Sequence, residues 1–556
     1  MKQTTLSVVL EVQPQSADNL SALIGELRHR EDKPPPGSSE QYGRLKNGVP
    51  VLHFMSLSVF PSADYDPIFV IEANFDGPAG VFWGQLEATL GIELRAMLRC
   101  CKKPADQDGP LYLAVTSPDS RVPLAPYLEA RTLRPSVFHH GTRGMDRDRI
   151  LREGELFLAT RRVLTQSSPT LANPYRAMTA EQIHANLRAA LQPDFPWLDI
   201  PAPIRISRIE RAGDLARLII FLFLLLACLS IPGAVIAFIS PWQRFLVIFA
   251  VLGCVVAFAL YLMRAPLEGL GAPSRSGGLT ASSLSRRNKL TSLAHPATLA
   301  IAVMVLLALY IAVASAIGTA LAVLFTGLPV ETLWCPTIRV VALGLVSVFL
   351  FTIPALVFWL RRLERRDASH DAPPIDSDMM LKMGQREDRI AQNHMGSVVL
   401  VKPGVLRTLL FRTGHRGLGL VLRVVATDGY LGSMRTIHFA HWAFVNNGSR
   451  LMFFSNFDHS WESYLDDFIE KAHGGLTLAW GSCIGFPPTR FLVLDGASHG
   501  RKFKAWARHS MAVSRFWFAA YKDYTVDQIE RHARIANGLR QIALTKKEAD
   551  AWVRDL

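Results

Sequence analysis

Four long apolar runs interrupt an otherwise mixed chain. They cover about Leu218 to Ile239, Phe245 to Met263, a stretch within Ala297 to Phe325, and Val340 to Leu360. Each is at least 19 residues long and holds no Asp, Glu, Lys, Arg or His in its core. A helix of that length crosses a hydrocarbon core of roughly 30 Å, so the pattern predicts four transmembrane helices. Pumps and ion-coupled transporters keep ionisable groups inside the bilayer. Runs as clean as these predict an anchor or a packing bundle instead.

The soluble stretches carry a different period. Thr5-Leu-Ser-Val-Val-Leu-Glu-Val alternates as a strand does. Residues 52–83 and 437–466 each read as a His-Phe strand, a polar turn, a second strand ending in Asn-Phe-Asp, and a helix. His53 aligns with His438, and Asn74-Phe-Asp76 aligns with Asn456-Phe-Asp458. Farther along, Leu111 to Thr116 aligns with Phe491 to Asp495, and Pro135-Ser-Val-Phe-His aligns with Ser514-Arg-Phe-Trp-Phe. The expected fold class is α+β plus transmembrane α-helical. Two ferredoxin-like repeats, residues 1–165 and 385–545, flank a four-helix membrane bundle at 215–362. Residues 166–214 and 363–384 are expected linkers. Two such units can bury their bare sheet faces together as a fused version of a homodimer. The C-terminal stretch opens with a capping box, Thr525 with Gln528, and continues as an amphipathic helix through Ile529, Ala533, Ala536, Leu539 and Ile542. Loops are expected around Pro34-Pro-Pro-Gly and across Leu267 to Leu293.

Charge sets the orientation. The net charge is +13, and much of the excess flanks the apolar runs. Arg205, Arg208, Arg211 and Arg217 precede the first run. Arg264, Arg275, Arg286, Arg287 and Lys289 lie between the second and third. Arg361, Arg362, Arg365 and Arg366 follow the fourth. Of the remaining loops, one carries only Arg244, and Thr326 to Thr337 carries no Lys or Arg. Basic flanks mark the cytoplasmic side, so both soluble regions and both termini are expected there. Anionic lipid headgroups account for this pattern better than nucleic acid does. The basic membrane-surface set is Arg205, Arg208, Arg211, Arg361, Arg362, Arg365 and Arg366. The six cysteines form no C-x-x-C pair, so neither a zinc site nor a disulfide framework is indicated.

Candidate chemistry concentrates in the second repeat. Strict alternation puts His441 on one face of its strand and His438 and Trp442 on the other. The strand after it ends in Asn456-Phe-Asp458, ahead of a helix bearing Glu462, Asp466 and Asp467. The candidate ligand-binding residues are His438, His441, Trp442, Asn456, Asp458 and Glu462. For Asp458 the expected role is ordering the turn into the Ser460 to Ala472 helix, since a cap needs only backbone N–H groups. The competing reading sets His438 or His441 with Asn456 and Asp458 in a pocket between the repeats. No P-loop, G-x-S-x-G, H-E-x-x-H or C-x-x-C-H occurs.

Glu387-Asp388-Arg389, Gln392-Asn393, Val401-Lys-Pro-Gly404, His438-Phe-Ala-His-Trp442, Ser455-Asn-Phe-Asp458 and Glu462-Ser-Tyr-Leu-Asp-Asp467 together resemble a poorly characterised bacterial membrane-associated domain family. The resemblance covers about residues 385–525. That family usually has Arg where His441 stands and Gly where His459 stands. Its fold is similar to the dimeric α/β-barrel group, which includes dye-decolourising haem peroxidases. The peroxidases' Gly-x-x-Asp-Gly signature is not found here. The four spans and their basic flanks give the expectation of a multi-pass protein, placed by the resemblance in a bacterial inner membrane. Its cytoplasmic pseudo-dimeric barrel would bind a small apolar or lipid-like ligand or a partner protein. The alternative it implies is a membrane-anchored oxidoreductase holding haem between the repeats, with His438 or His441 as axial ligand.

Overall fold

The computed structural model describes residues 2–32, 43–62, 65–165, 174–267, 296–368, 377–387, 391–426, 431 and 434–556. The Pro34-Pro-Pro-Gly loop, Arg275, Arg286, Arg287 and Lys289, and Asp388-Arg389 lie outside the described residues.

Among the described residues, four helices are long and apolar enough to cross a membrane: Arg208–Ile239, Trp242–Leu262, Ala300–Thr326 and Val330–Arg365. The first starts ten residues before its apolar run, capped by Ser207, whose side chain accepts from the Glu210 amide. The last also starts early. Thr326 to Thr337 reads as a loop in sequence, yet only a short turn at Gly327 separates the third helix from a helix already under way at Val330. This last helix passes through a π-turn at Val348–Thr352 just before Pro354. Proline has no N–H to give the preceding turn, and a wider turn absorbs that loss. Small residues bring the helices close, as membrane interfaces favour. The Ser230 and Tyr310 hydroxyls meet at 2.6 Å. Gly233 backs onto Ser347, and Gly253 onto the Leu350 carbonyl.

The described residues of the soluble regions build two five-stranded antiparallel sheets and one small hairpin. Strands are β1 (Gln3–Glu11), β2 (Leu52–Phe60), β3 (Ile68–Asp76), β4 (Thr132–Leu133), β5 (Val137–His140), β6 (Gln392–Leu400), β7 (Ile437–Val445), β8 (Arg450–Asp458), β9 (Thr489–Arg490), β10 (Leu494–Asp495), β11 (Met511–Ala512) and β12 (Phe516–Ala519). One sheet has the order β12-β2-β3-β1-β4, and the other β5-β7-β8-β6-β11. The edge strand β5, from before the membrane helices, pairs with β7 after them. β12 in turn pairs with β2. Each half therefore completes its sheet with a strand lent by the other. Every residue of β3 and β8 is buried. Helices Ala17–Asp32 and Ala79–Arg99 cover one outer face, burying Leu20, Ile24, Phe82, Trp83 and Leu86 with Phe69 and Ile71. Between the sheets, Phe60 and Val70 meet Ala443, Met452 and Phe454.

Two sequence expectations need correction. Leu111 to Thr116 lies in helix Gly109–Thr116, and the fourth strand of that half is the short β4. An all-apolar run opened by Pro110 has no period to separate helix from strand. The expected linker 166–214 holds helix Ala180–Leu191, whose Leu187 and Leu191 pack with Leu156, Ile535 and Trp552.

Candidate functional site

A one-residue irregularity shapes the end of the central hairpin in both sheets. The register shifts between Leu52 and Phe54, and again between Ile437 and Phe439. A bulge turns the extra side chain, so His438 joins His441 on the inner side despite their odd spacing. The His438 Nε2 lies 2.8 Å from Asp458 Oδ1, and Asp458 Oδ2 accepts from the Val526 amide at 2.8 Å. In the other sheet His53 Nε2 is 3.0 Å from Asp76 Oδ2, which accepts from the Arg147 amide at 2.8 Å. Gln392 donates to the Tyr521 and Tyr524 carbonyls, and Gln3 to those of Thr142 and Met145. These are two equivalent Gln-His-Asp clamps. Each fastens the start of the helix that follows an exchanged strand, Arg147–Thr165 after β5 and Val526–Leu539 after β12. The expected role of Asp458 is thus redirected. It serves a helix 68 residues away, while Ser460 caps the helix next to it.

The polar centre between the sheets is one that sequence reading missed. Glu72 sits fully buried on β3, facing inward between Val70 and Asn74. Ser56 Oγ donates to it at 3.2 Å, Asn74 Nδ2 donates to it, and His394 Nε2 of β6 lies 3.7 Å away. His394 Nδ1 meets Ser514 Oγ at 2.7 Å, and Ser514 meets Ser58 at 3.3 Å. Trp517 Nε1 donates to Asn456 Oδ1 at 2.7 Å, and Asn456 reaches Glu72 at 3.5 Å. His441 Nε2 and Ser7 Oγ are 2.9 Å apart, as are His140 Nε2 and Thr5 Oγ1. The network thus joins residues from both sides of the membrane helices. Burial pushes the Glu72 carboxyl up, but His394, His441 and the Asn74 amide outweigh it and hold it below its ordinary value. Burial lowers His441 to about 4, against the pull of Glu72. Burial also lowers His139 to about 4 and His140 well below its ordinary value. A charged residue in the middle of the apolar strand Ile68–Asp76 was the available signal, since buried carboxylates demand partners.

The remaining candidates are dispersed. Trp442 faces outward, packed on Phe453 and Trp480 with centroids at 4.5 and 5.4 Å. Glu462 is on the surface with Asp466, both 2.7 Å from Lys504 Nζ. Arg205 is committed to Glu530 at 2.7 Å. Arg361 is fully buried, donating to the carbonyls of Met263, Ala265 and Thr489, so it cannot meet lipid headgroups. Arg208, Arg211, Arg362, Arg365 and Arg366 are exposed.

Aromatic rings crowd both histidines where a haem would have to lie. The His438 ring is 5.3 Å from Phe54 and 6.0 Å from Tyr521, and Phe54 also lies 5.6 Å from Phe439. His441 stacks on Phe454 at 5.9 Å, which also meets His394 at 5.6 Å. These rings fill the space beside both histidines, and the Nε2 of each is already engaged, by Asp458 and by Ser7. The residues present do not fit haem. Among the described residues no cluster of His, Cys, Asp and Glu has metal-binding geometry. Comparison with protein-family models, curated proteins and solved structures finds no match to this chain.

Proposed function

We propose that this chain is an integral membrane protein whose two soluble regions form one cytoplasmic body, a fused pair of ferredoxin-like units of the dimeric α/β-barrel kind. This body is a binding module for a lipid-like ligand or a partner protein, with no catalytic role for its buried histidines. The observation that carries the reading is the exchange of β5 and β12 between sheets. Strands separated by four apolar helices pair only if both lie on one side of the bilayer, so the number of crossings between them is even. Basic flanks then select the cytoplasm. The binding role is supported by what the inward-facing groups already do. His53, His438, Asp76 and Asp458 are buried and spent on holding the exchanged helices. A catalytic acid or base needs reach to a substrate proton. The test is a set of reporter fusions after Leu556, near Ser283 and near Gly327. The first two should report cytoplasm and the third the outer side. A reporter near Ser283 that reads outside overturns the topology.

A further inference from the structure

Helix Val405–Val425 lies across the feet of the membrane bundle. Near its start, Arg407 donates to the Leu363 carbonyl at 3.0 Å and to Asp367 at 3.1 Å, just past the last membrane helix. Near its end, Arg423 lies 3.5 Å from Asp214, at the foot of the first. Between these points Gly417 backs onto the Phe221 ring, four residues beyond Arg217 and inside the apolar run. Two anchors at two feet set this helix across the base of the bundle.

One stripe of the helix is open. Val405, Leu409, Arg412 and Arg416 follow the i, i+4, i+7, i+11 spacing of a single face. Val405 is 83% and Leu409 61% exposed, and both arginines are exposed. The arginine end borders a cleft of about 610 Å³, shared with Ser136, Phe444 and the turn Asn446-Asn-Gly448 between β7 and β8. None of the residues lining it is acidic. Arg412 is held in place by the Asn447 carbonyl at 2.5 Å, and its guanidinium lies 5.8 Å from the Phe444 ring centre. Gly448, at φ +93, makes room for it, because a Cβ there would fall 2.3 Å from Arg412 Nη2. A guanidinium has five N–H donors, so this bond leaves most of the fork for a ligand.

We propose that this cleft binds the phosphate of an anionic phospholipid, gripped by Arg412 and Arg416, with the acyl chains directed along Val405 and Leu409. A soluble anion would have no use for that apolar end. An interfacial helix combines the two chemistries in this way, and paired guanidiniums suit a phosphate's oxygens. The proposal rests on the membrane-anchored reading above.

The test uses the full chain in lipid nanodiscs, with spin-labelled phosphatidylglycerol or phosphatidylcholine as probe. The motionally restricted signal seen with either lipid reports the membrane helices. The preference for phosphatidylglycerol reports the site. The wild type should prefer it, and Arg412→Gln and Arg416→Gln should each reduce the preference by roughly fivefold, the scale of one basic residue at an anionic surface. Arg121→Gln with Lys547→Gln, both exposed and outside the membrane-surface set, should leave the preference in place. Loss of the restricted signal for both lipids overturns the anchored reading itself. A restricted signal with no preference, or a preference untouched in the double Arg412/Arg416 variant, overturns the site alone. So does a control pair that removes the preference equally. Abolition by millimolar inorganic phosphate overturns the lipid in favour of a free anion.

Discussion

Asp458 shows how much a single side chain's meaning depends on its distant partners. As a local cap it would be worth about 1 kcal/mol. As a clamp it satisfies the His438 ring and the Val526 amide, both buried. Asp458→Ala strands both, and a buried unsatisfied group costs about 1–3 kcal/mol, so denaturant unfolding should show a loss of about 3 kcal/mol. Asp458→Asn keeps an acceptor and should lose less than half of that. Equal losses in the two variants would reject the clamp. The buried histidines give a second residue-level expectation. His139, His415 and His441 titrate near 4 because burial disfavours their charged form. In the unfolded chain they take up protons near the ordinary value of 6.5, so between those values the unfolded state binds more protons. Stability is therefore full above about 6.5 and is lost as the pH falls, by about 1.4 kcal/mol per pH unit for each histidine. The lowered Glu72 acts in the same direction at still lower pH. The melting temperature should drop steadily from neutral pH toward pH 5. A flat profile would mean these rings are not buried as neutral groups.

At the scale of elements, the exchanged strands make distant parts of the chain depend on one another. Gly141 follows β5, donates its amide to the His438 carbonyl at 2.8 Å, and sits so close to Ile437 that a Cβ would lie 2.0 Å from its carbonyl oxygen. Gly141→Ala should cost about 1–3 kcal/mol through overpacking. In hydrogen exchange the loss of protection should fall on β7, nearly three hundred residues away in the chain. If protection is lost only around residue 141, the strand is not shared. The membrane helices repeat the lesson. Gly233→Leu drives a side chain into Ser347, whereas Gly213 has open space around it. The first should lower the melting temperature in detergent. Gly213→Ala should raise stability by as much as about 1 kcal/mol, the helix-propensity difference.

At the scale of the whole molecule, the soluble body and the bundle are joined at more than the chain connections. Glu364, at the foot of the last membrane helix, accepts from the Thr489 hydroxyl at 2.9 Å and from the amides of Phe491 and Leu492 at 3.0 and 2.9 Å. These bonds hold Phe491 and Leu492 at φ 51 and 69, where side-chain-bearing residues are strained. Glu364→Ala removes the acceptor that keeps the β9–β10 hairpin there. Limited proteolysis should then cut within 489–495 while the two large sheets stay resistant. An unchanged cleavage pattern would show that the hairpin is held by other means.

The sequence by itself determined the four apolar helices, because absence of charge over twenty residues is a local property. It also carried the alignment of β5 with β12, of His53 with His438 and of Asp76 with Asp458, and the Thr525–Gln528 capping box. Helix starts were less legible. Arg208 to Arg217 and Val330 to Arg339 are polar enough to read as flanks, yet they continue the backbone hydrogen bonding of the helix beyond its apolar run. Only the tertiary structure decided where strands and side chains go. Alternation assigns a residue to a face but not to a partner, so β5 and β12 read as strands without revealing that they exchange sheets. A single bulge reverses the parity of His438, which no periodic rule anticipates. Glu72 and His394 stand on strands 322 positions apart in the chain. Their attraction exists only after the sheets have stacked and removed the water that would otherwise solvate them separately.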